Sequence, residues 1–284
     1  MWLTNKINSM IRNNIMVSIC LSIVILLGFV FSFTVLGQKV IVEARRYSIE
    51  SAVHLQGVAV DRDFFYAISN CTITKHRKSD GTRVEIWDGR KEGIIKHLNS
   101  GVVIRNKLYC ANSNFPETPM ASSIEIFDTR TMKHIGNHSF GIFAGSATWV
   151  DYKNGYWWVA FANYNGKHSF EGRDNRWTSL VKFDKDWTEV GSWVFPKEVL
   201  DALAPNSNSG GNWSRDGNLL ISGHDKKEIY VMKIPDVGYT LQLLQTVPSI
   251  NPGQAIAIDR SEKEREIFYA VNREEDAVLV EEIK

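Results

Sequence analysis

Five segments of this chain share one layout: an apolar stretch, a turn, and a second apolar stretch that ends on a polar side chain, Asn in four cases and His in one. They run from Gly57-Val-Ala-Val-Asp61 to Asn70, from Gly101-Val-Val-Ile-Arg105 to Asn114, from Ala147-Thr-Trp-Val-Asp151 to Asn163, from Gly211-Asn-Trp-Ser-Arg215 to His224, and from Ala255-Ile-Ala-Ile-Asp259 to Asn272. Their starts lie 44, 46, 64 and 44 residues apart, a period that belongs to the blades of a β-propeller. A repeat of this length cannot bury its apolar face alone, so the five must pack on one another.

Each repeat reads as four strands separated by turn-forming stretches such as Ser79-Asp80-Gly81. The last repeat offers only three strands before the chain stops, and an unpaired sheet edge is a liability. Arg45-Arg-Tyr-Ser-Ile49, just ahead of the first repeat, is placed to supply the missing outer strand and close the ring. The expected fold is therefore all-β, a five-bladed propeller of four-stranded antiparallel blades. Six blades are the alternative, with the extra sheet hidden in the long interval after Asn163. The composition of Gly166 to Trp177, rich in Gly, His, Asp, Asn and Arg, favours a loop there.

The start of the chain is of another kind. Ile15 to Leu36 runs without a charge and is long enough to cross a bilayer as one N-terminal transmembrane helix. Lys6 and Arg12 precede it, which by the positive-inside tendency keeps the N-terminus in the cytoplasm. The sequence thus divides into residues 1–37, a cytoplasmic N-terminus and transmembrane signal anchor, and residues 38–284, a propeller on the extracytoplasmic side of the cell membrane. A cleaved secretory signal is the competing reading, although it calls for a shorter apolar core. The lipid bilayer is the one partner this implies. Lys and Arg number 33 against 32 Asp and Glu, with no basic run, which argues against nucleic acid. Cys71 and Cys110 end second strands of neighbouring repeats; a disulfide and two free thiols both remain open.

In a propeller the loops leading into the innermost strands share a face with those leaving the second strands. On that face the sequence collects His54, Gln56, His97, Asn99, Asn208 and Gln254 on the way in, and Asn70, Asn114, Asn163, His224, Asp225 and Asn272 on the way out. Together they would ring the channel mouth with the few convergent polar groups that orient a ligand. Asn is also a favoured turn residue, because its side chain bonds nearby backbone and tolerates left-handed dihedrals. His224-Asp225 breaks the Asn pattern and is the more informative position. His54, His97 and His224 are the candidate catalytic residues, since imidazole shuttles protons near neutral pH and can ligate a divalent metal, with Asp225 as orienting partner. No local metal spacing such as HExxH, no GxSxG elbow and no phosphate-binding glycine loop is present. Trp149 and Trp213 occupy equivalent inner-strand positions, where one is expected to line the channel and the other to pack between sheets.

The phrases His54-Leu-Gln-Gly-Val-Ala-Val-Asp61, Lys96-His-Leu-Asn-Ser-Gly101, Tyr156-Trp-Trp-Val-Ala-Phe-Ala-Asn163 and Asn206-Ser-Asn-Ser-Gly-Gly211, followed by Gly223-His-Asp225, resemble a group of bacterial propeller proteins often labelled cycloisomerase, with similarity to lactonase and muconate-cyclase-like propellers. The resemblance covers roughly residues 45–284. It implies the propeller fold and carries no set of catalytic residues onto this chain. The acidic metal ligands of gluconolactonase-like propellers are not recognisable here. Two functions follow as expectations: a ligand-binding or partner-binding propeller working through the polar mouth, or an extracytoplasmic cycloisomerase- or lactonase-like enzyme acting on a small cyclic compound.

Overall fold

The computed structural model describes residues 39–49, 55–91, 93, 95–170 and 172–284. The apolar run from Ile15 to Leu36 lies outside the described residues, as does His54. Among the described residues no helix is long and apolar enough to cross a membrane.

The described residues fold into five four-stranded antiparallel sheets. After β1 (Ile41–Ser48), the first blade is β2 (Leu55–Val60), β3 (Phe64–Ser69), β4 (Thr72–Arg77) and β5 (Arg83–Asp88). The second is β6 (His97–Ile104), β7 (Lys107–Ser113), β8 (Ser122–Asp128) and β9 (Lys133–Gly141). The third is β10 (Ser146–Lys153), β11 (Tyr156–Ala162), β12 (Ser179–Phe183) and β13 (Glu189–Val194). The fourth is β14 (Gly210–Trp213), β15 (Leu219–Ser222), β16 (Glu228–Lys233) and β17 (Gln242–Pro248). The fifth has β18 (Ile256–Ile258), β19 (Glu266–Asn272) and β20 (Ala277–Ile283), with β1 as its outer strand. Every residue of the inner strand β2 is buried. The outer strand β9 instead alternates between exposed and half-buried positions, as a strand with one face to water should.

Ring closure is by β1. It pairs antiparallel with β20 from Ile41 opposite Ile283 to Ser48 opposite Ala277, one bulge between Glu43 and Arg45 adjusting the register. The strand is longer at its start than the sequence predicts. Its inward side chain Tyr47 stacks on Phe65 of the first blade at 4.7 Å, and Tyr269 of the fifth blade lies 5.7 Å from the same ring. First and last blades are thus joined by a buried aromatic seam as well as by backbone hydrogen bonds.

The same logic holds between the other blades. Trp87 meets Phe127 between the first and second, Tyr109 meets Trp157 between the second and third, and Trp158 meets Trp213 between the third and fourth. Leu220 and Val231 pack with Phe268 and Leu279 between the fourth and fifth. Trp149 and Trp213 belong together to the seam of the third and fourth blades, so neither lines the channel; Trp149 is fully buried and gives its indole N–H to Asn208 at 2.6 Å.

Among the described residues no sixth blade occupies the long third interval. The extra residues form two short 3-10 turns, Gly166–His168 and Asn175–Trp177, and a helix α1 (Lys197–Leu203) ahead of β14. Val199, Leu200 and Leu203 of α1 are buried in the adjoining seam, which explains why a stretch with these apolar residues need not be strand. Cys71 and Cys110 are free thiols.

Candidate functional site: the upper mouth

Because successive strands alternate in direction, the starts of inner strands and the ends of second strands share one face, here called the upper face. On it β15 leads through Gly223 into His224 and Asp225, opposite the segment Pro252-Gly253-Gln254 that leads into β18. Gln254 donates its backbone N–H to the Gly223 carbonyl at 2.7 Å and its side-chain amide to the His224 carbonyl at 3.2 Å. Gly253 has φ +112°, and a Cβ there would stand 2.4 Å from the His224 carbonyl oxygen, so only glycine lets the two loops meet this closely. The His224 ring is held at both nitrogens: Nδ1 donates to Asp225, and Nε2 lies 3.4 Å from Nη1 of Arg273. Beside a guanidinium, which can only donate, Nε2 is placed as an acceptor. Asn206 donates to the other Asp225 oxygen at 2.6 Å. His224, Asp225, Gln254 and Arg273, with Lys227 and Pro252 beside them, line a cleft of about 320 Å³.

His97 begins β6 on the same face. Its ring packs 5.3 Å from Phe115, and Phe115 stands 5.0 Å from both Tyr164 and His168. Burial pushes the His97 imidazole down to about 4, and the Arg273 charge acts in the same direction. Burial pushes the Tyr164 hydroxyl up to about 12. Arg273 therefore bears on two of the three histidines singled out in the sequence: it contacts His224 and depresses His97.

The asparagines serve the loops more than the mouth. Asn114 holds its own loop by accepting from Ala121 N–H at 2.8 Å and donating to the Pro119 carbonyl at 3.1 Å. Asn163 donates to the Trp177 carbonyl at 3.2 Å, and Asn272 accepts from the amides of Glu274 and Glu275. Asn208 spends its amide on the carbonyls of Gly210 and Ser222 and its oxygen on Trp149. Asn70 keeps a buried side-chain oxygen without a partner. Gln56 and Asn99 are buried where β2 and β6 begin. Below them the Ser100 hydroxyl comes within 3.5 Å of the Val58 carbonyl and 3.4 Å of the Ile256 carbonyl, so the inner strands of three blades meet across the axis.

Among the described residues, no three His, Cys, Asp or Glu side chains converge as metal ligands. His224 and Asp225 offer two donors, and the Arg273 cation stands 3.4 Å from the free nitrogen of that imidazole. The set does not fit a divalent ion.

The position that matters most lies one residue beyond the polar endpoint of each repeat. These positions hold Cys71, Phe115, Tyr164, Asp225 and Arg273, and four of the five contribute to the upper mouth or its aromatic lining. Aligning the repeats one column further would have revealed Arg273.

No protein-family model and no curated protein matches this chain. Among solved structures, the fold is similar to the glutaminyl cyclase of Myxococcus xanthus, with a TM-score of 0.57 and 11% identity over 87% of this chain and 96% of that one. It is also similar to the PQQ-bound aldose sugar dehydrogenase of Streptomyces coelicolor, with a TM-score of 0.52 and 9% identity over 87% of this chain and 99% of that one. At such identities the likeness is one of fold, and the chain is a five-bladed β-propeller with enzymes among its structural neighbours.

Proposed function

We propose that this protein is a membrane-anchored, extracytoplasmic propeller that binds a small polar ligand at its upper mouth. The observation that carries the reading is the convergence of Arg273, His224, Asp225 and Gln254 on one cleft of about 320 Å³, at the lower end of the size range of ligand pockets. A guanidinium, a carboxylate and an amide supply both donors and acceptors, so a compound carrying hydroxyl, carboxylate or amide groups is the matching chemistry. The anchor rests on the uncharged run from Ile15 to Leu36.

The His224–Asp225 hydrogen bond favours a second reading, an extracytoplasmic cycloisomerase- or lactonase-like enzyme acting on a small cyclic compound. An imidazole oriented by a carboxylate is the arrangement of a general base. Binding fits better because the nitrogen that would take the proton faces Arg273, and because His97, held near 4, is a weak base at neutral pH.

The test is a thermal-shift screen of the full-length protein in neutral detergent against small polar and cyclic compounds, repeated with Arg273→Gln and His224→Gln. Compounds that raise the melting temperature of the wild type should lose that effect in Arg273→Gln. Shifts that persist in both variants contradict the assignment, whereas turnover of a cyclic compound that vanishes in His224→Gln favours the enzyme. Carbonate extraction of membranes and protease treatment of intact and opened cells test the anchor: the protein should stay with the membrane and its propeller should be cut from outside.

A further inference from the structure

The channel has a second mouth. At the lower face, where the inner strands end, β2, β6, β14 and β18 surround a cavity of about 550 Å³. Above it the Ser100 hydroxyl reaches carbonyls of two other blades across the axis. Its wall is apolar, formed by Val60, Val102, Val103 and Ile258, while its rim carries Arg62, Lys75, Arg105, Arg130 and Arg260 against the carboxylates of Asp61 and Asp63. A protein with a net charge of +1 has thus gathered a local excess of positive charge around one opening.

Two of those cations, Lys75 and Arg260, are held in place, and the carboxylates are already engaged. Asp61 accepts from the amides of Asp63 and Phe64 at 2.9 and 2.7 Å and from the Tyr66 hydroxyl at 2.7 Å. Lys75 donates to the Thr129 carbonyl at 2.8 Å and sits 4.0 Å over the Phe64 ring. One nitrogen of Arg260 lies 2.6 Å from both oxygens of the fully buried Asp151. The rest of that guanidinium has no ion pair among the described residues. Arg105 and Asn106 form the tip of the β6–β7 hairpin with φ of 52° and 21°. Arg62 pairs with the exposed Asp63, a contact that contributes little, and Arg130 pairs with the half-buried Asp128; both guanidiniums are themselves largely exposed.

We propose that the lower mouth binds a phosphate group carried on an apolar body. Several guanidinium forks around one opening match the charge and the several acceptor oxygens of a phosphate better than those of a single carboxylate. The valine and isoleucine wall gives the apolar portion a place to lie. This face is also where the chain enters the propeller: Ile41 opens β1 beside Ile283, and Lys39 pairs with Asp216 in the β14–β15 turn at 2.9 Å. Two sources share the required chemistry, a lipid headgroup phosphate and a free organic phosphate. The proposal is independent of the reading of the upper mouth.

The test uses the full-length protein and titrates hexyl phosphate and inorganic phosphate into it in neutral detergent by calorimetry. A second arm compares nanodiscs containing phosphatidylglycerol with nanodiscs of phosphatidylcholine alone. Arg105→Gln and Arg130→Gln alter exposed turn residues and spare the buried Asp151 pairing. Hexyl phosphate should bind more tightly than inorganic phosphate, and each substitution should weaken it by roughly ten-fold, the effect of one charged hydrogen bond. Arg273→Gln, at the other mouth, should leave this binding unchanged. Stronger binding to phosphatidylglycerol than to hexyl phosphate assigns the headgroup, and the reverse order assigns a free phosphate. The proposal is overturned by equal affinity for hexyl and inorganic phosphate, by binding indifferent to both lower-face substitutions, or by no binding in either arm.

Discussion

Glu281 is a carboxylate in the wrong place for a charge. It lies in β20, fully buried, with one oxygen accepting from the Ser249 hydroxyl at 2.7 Å and the other without a partner. Burial outweighs the Ser249 hydrogen bond and the nearby Ile250 and Asn251 amides, and pushes the carboxyl from 4.5 up to about 7. A rise of this size corresponds to about 3 kcal/mol between the protonated and charged forms. Between 4.5 and about 7 the folded protein holds a proton that the unfolded chain has released, so stability falls as pH rises through that window and the full penalty is present above it. Glu281→Gln keeps the shape and a carbonyl oxygen for Ser249 but cannot ionise. Urea denaturation followed by tryptophan fluorescence, at intervals from pH 4.5 to 8, should show the variant gaining on the wild type as pH rises. The gain should approach about 3 kcal/mol at pH 8. A difference that is flat with pH, or that favours the wild type at pH 8, would refute the assignment of a buried, reluctantly charged Glu281.

Four other substitutions test the same geometry. Replacing Arg273 by Gln removes the charge that adds to the burial of His97, so the His97 proton resonance should titrate at a higher pH than about 4 by NMR, still below an ordinary imidazole; no movement separates Arg273 from His97. Because His97 is depressed, its contribution to stability is present at neutral pH and lost as pH falls toward 4, and His97→Gln should flatten the acid limb of the denaturation profile. Tyr47→Ala empties the aromatic seam that joins the fifth blade to the first and should cost about 3–5 kcal/mol, read as a lower urea midpoint and faster proteolysis. In Trp149→Phe the buried Asn208 oxygen loses its donor, for which a loss of about 1–3 kcal/mol is expected in the same assay.

The architecture was legible because it rests on pattern. The period of the five segments gave the blades, and the three-stranded last repeat with Arg45–Ile49 upstream gave the closure, which the structure extends back to Ile41. The 64-residue interval was ambiguous in sequence because the amphipathic Lys197–Leu203 is too short for its period to separate helix from strand. The site was less legible. His97 and His224 do share a face, but the cation that relates them follows an Asn whose own role is a turn. Only alignment of the repeats one column beyond the Asn picks out that neighbour. The lower mouth was missed because its arginines sit singly in separate hairpins, where each looks like an ordinary turn residue, and only ring closure brings them together. Asp61, Asp151 and Asp259 recur at the ends of inner strands and proved to be anchors for turns and neighbouring blades, as when Asp151 accepts from the Trp213 amide at 2.9 Å.

The most direct test of the functional account is a crystal structure of the protein with the phosphate-free compound that gives the largest thermal shift. The account predicts that compound in the upper cleft, bonded to the Arg273 guanidinium and in contact with His224 or Gln254. A compound found elsewhere on the propeller, with Arg273 still turned to His224 and the cleft untouched, would contradict it.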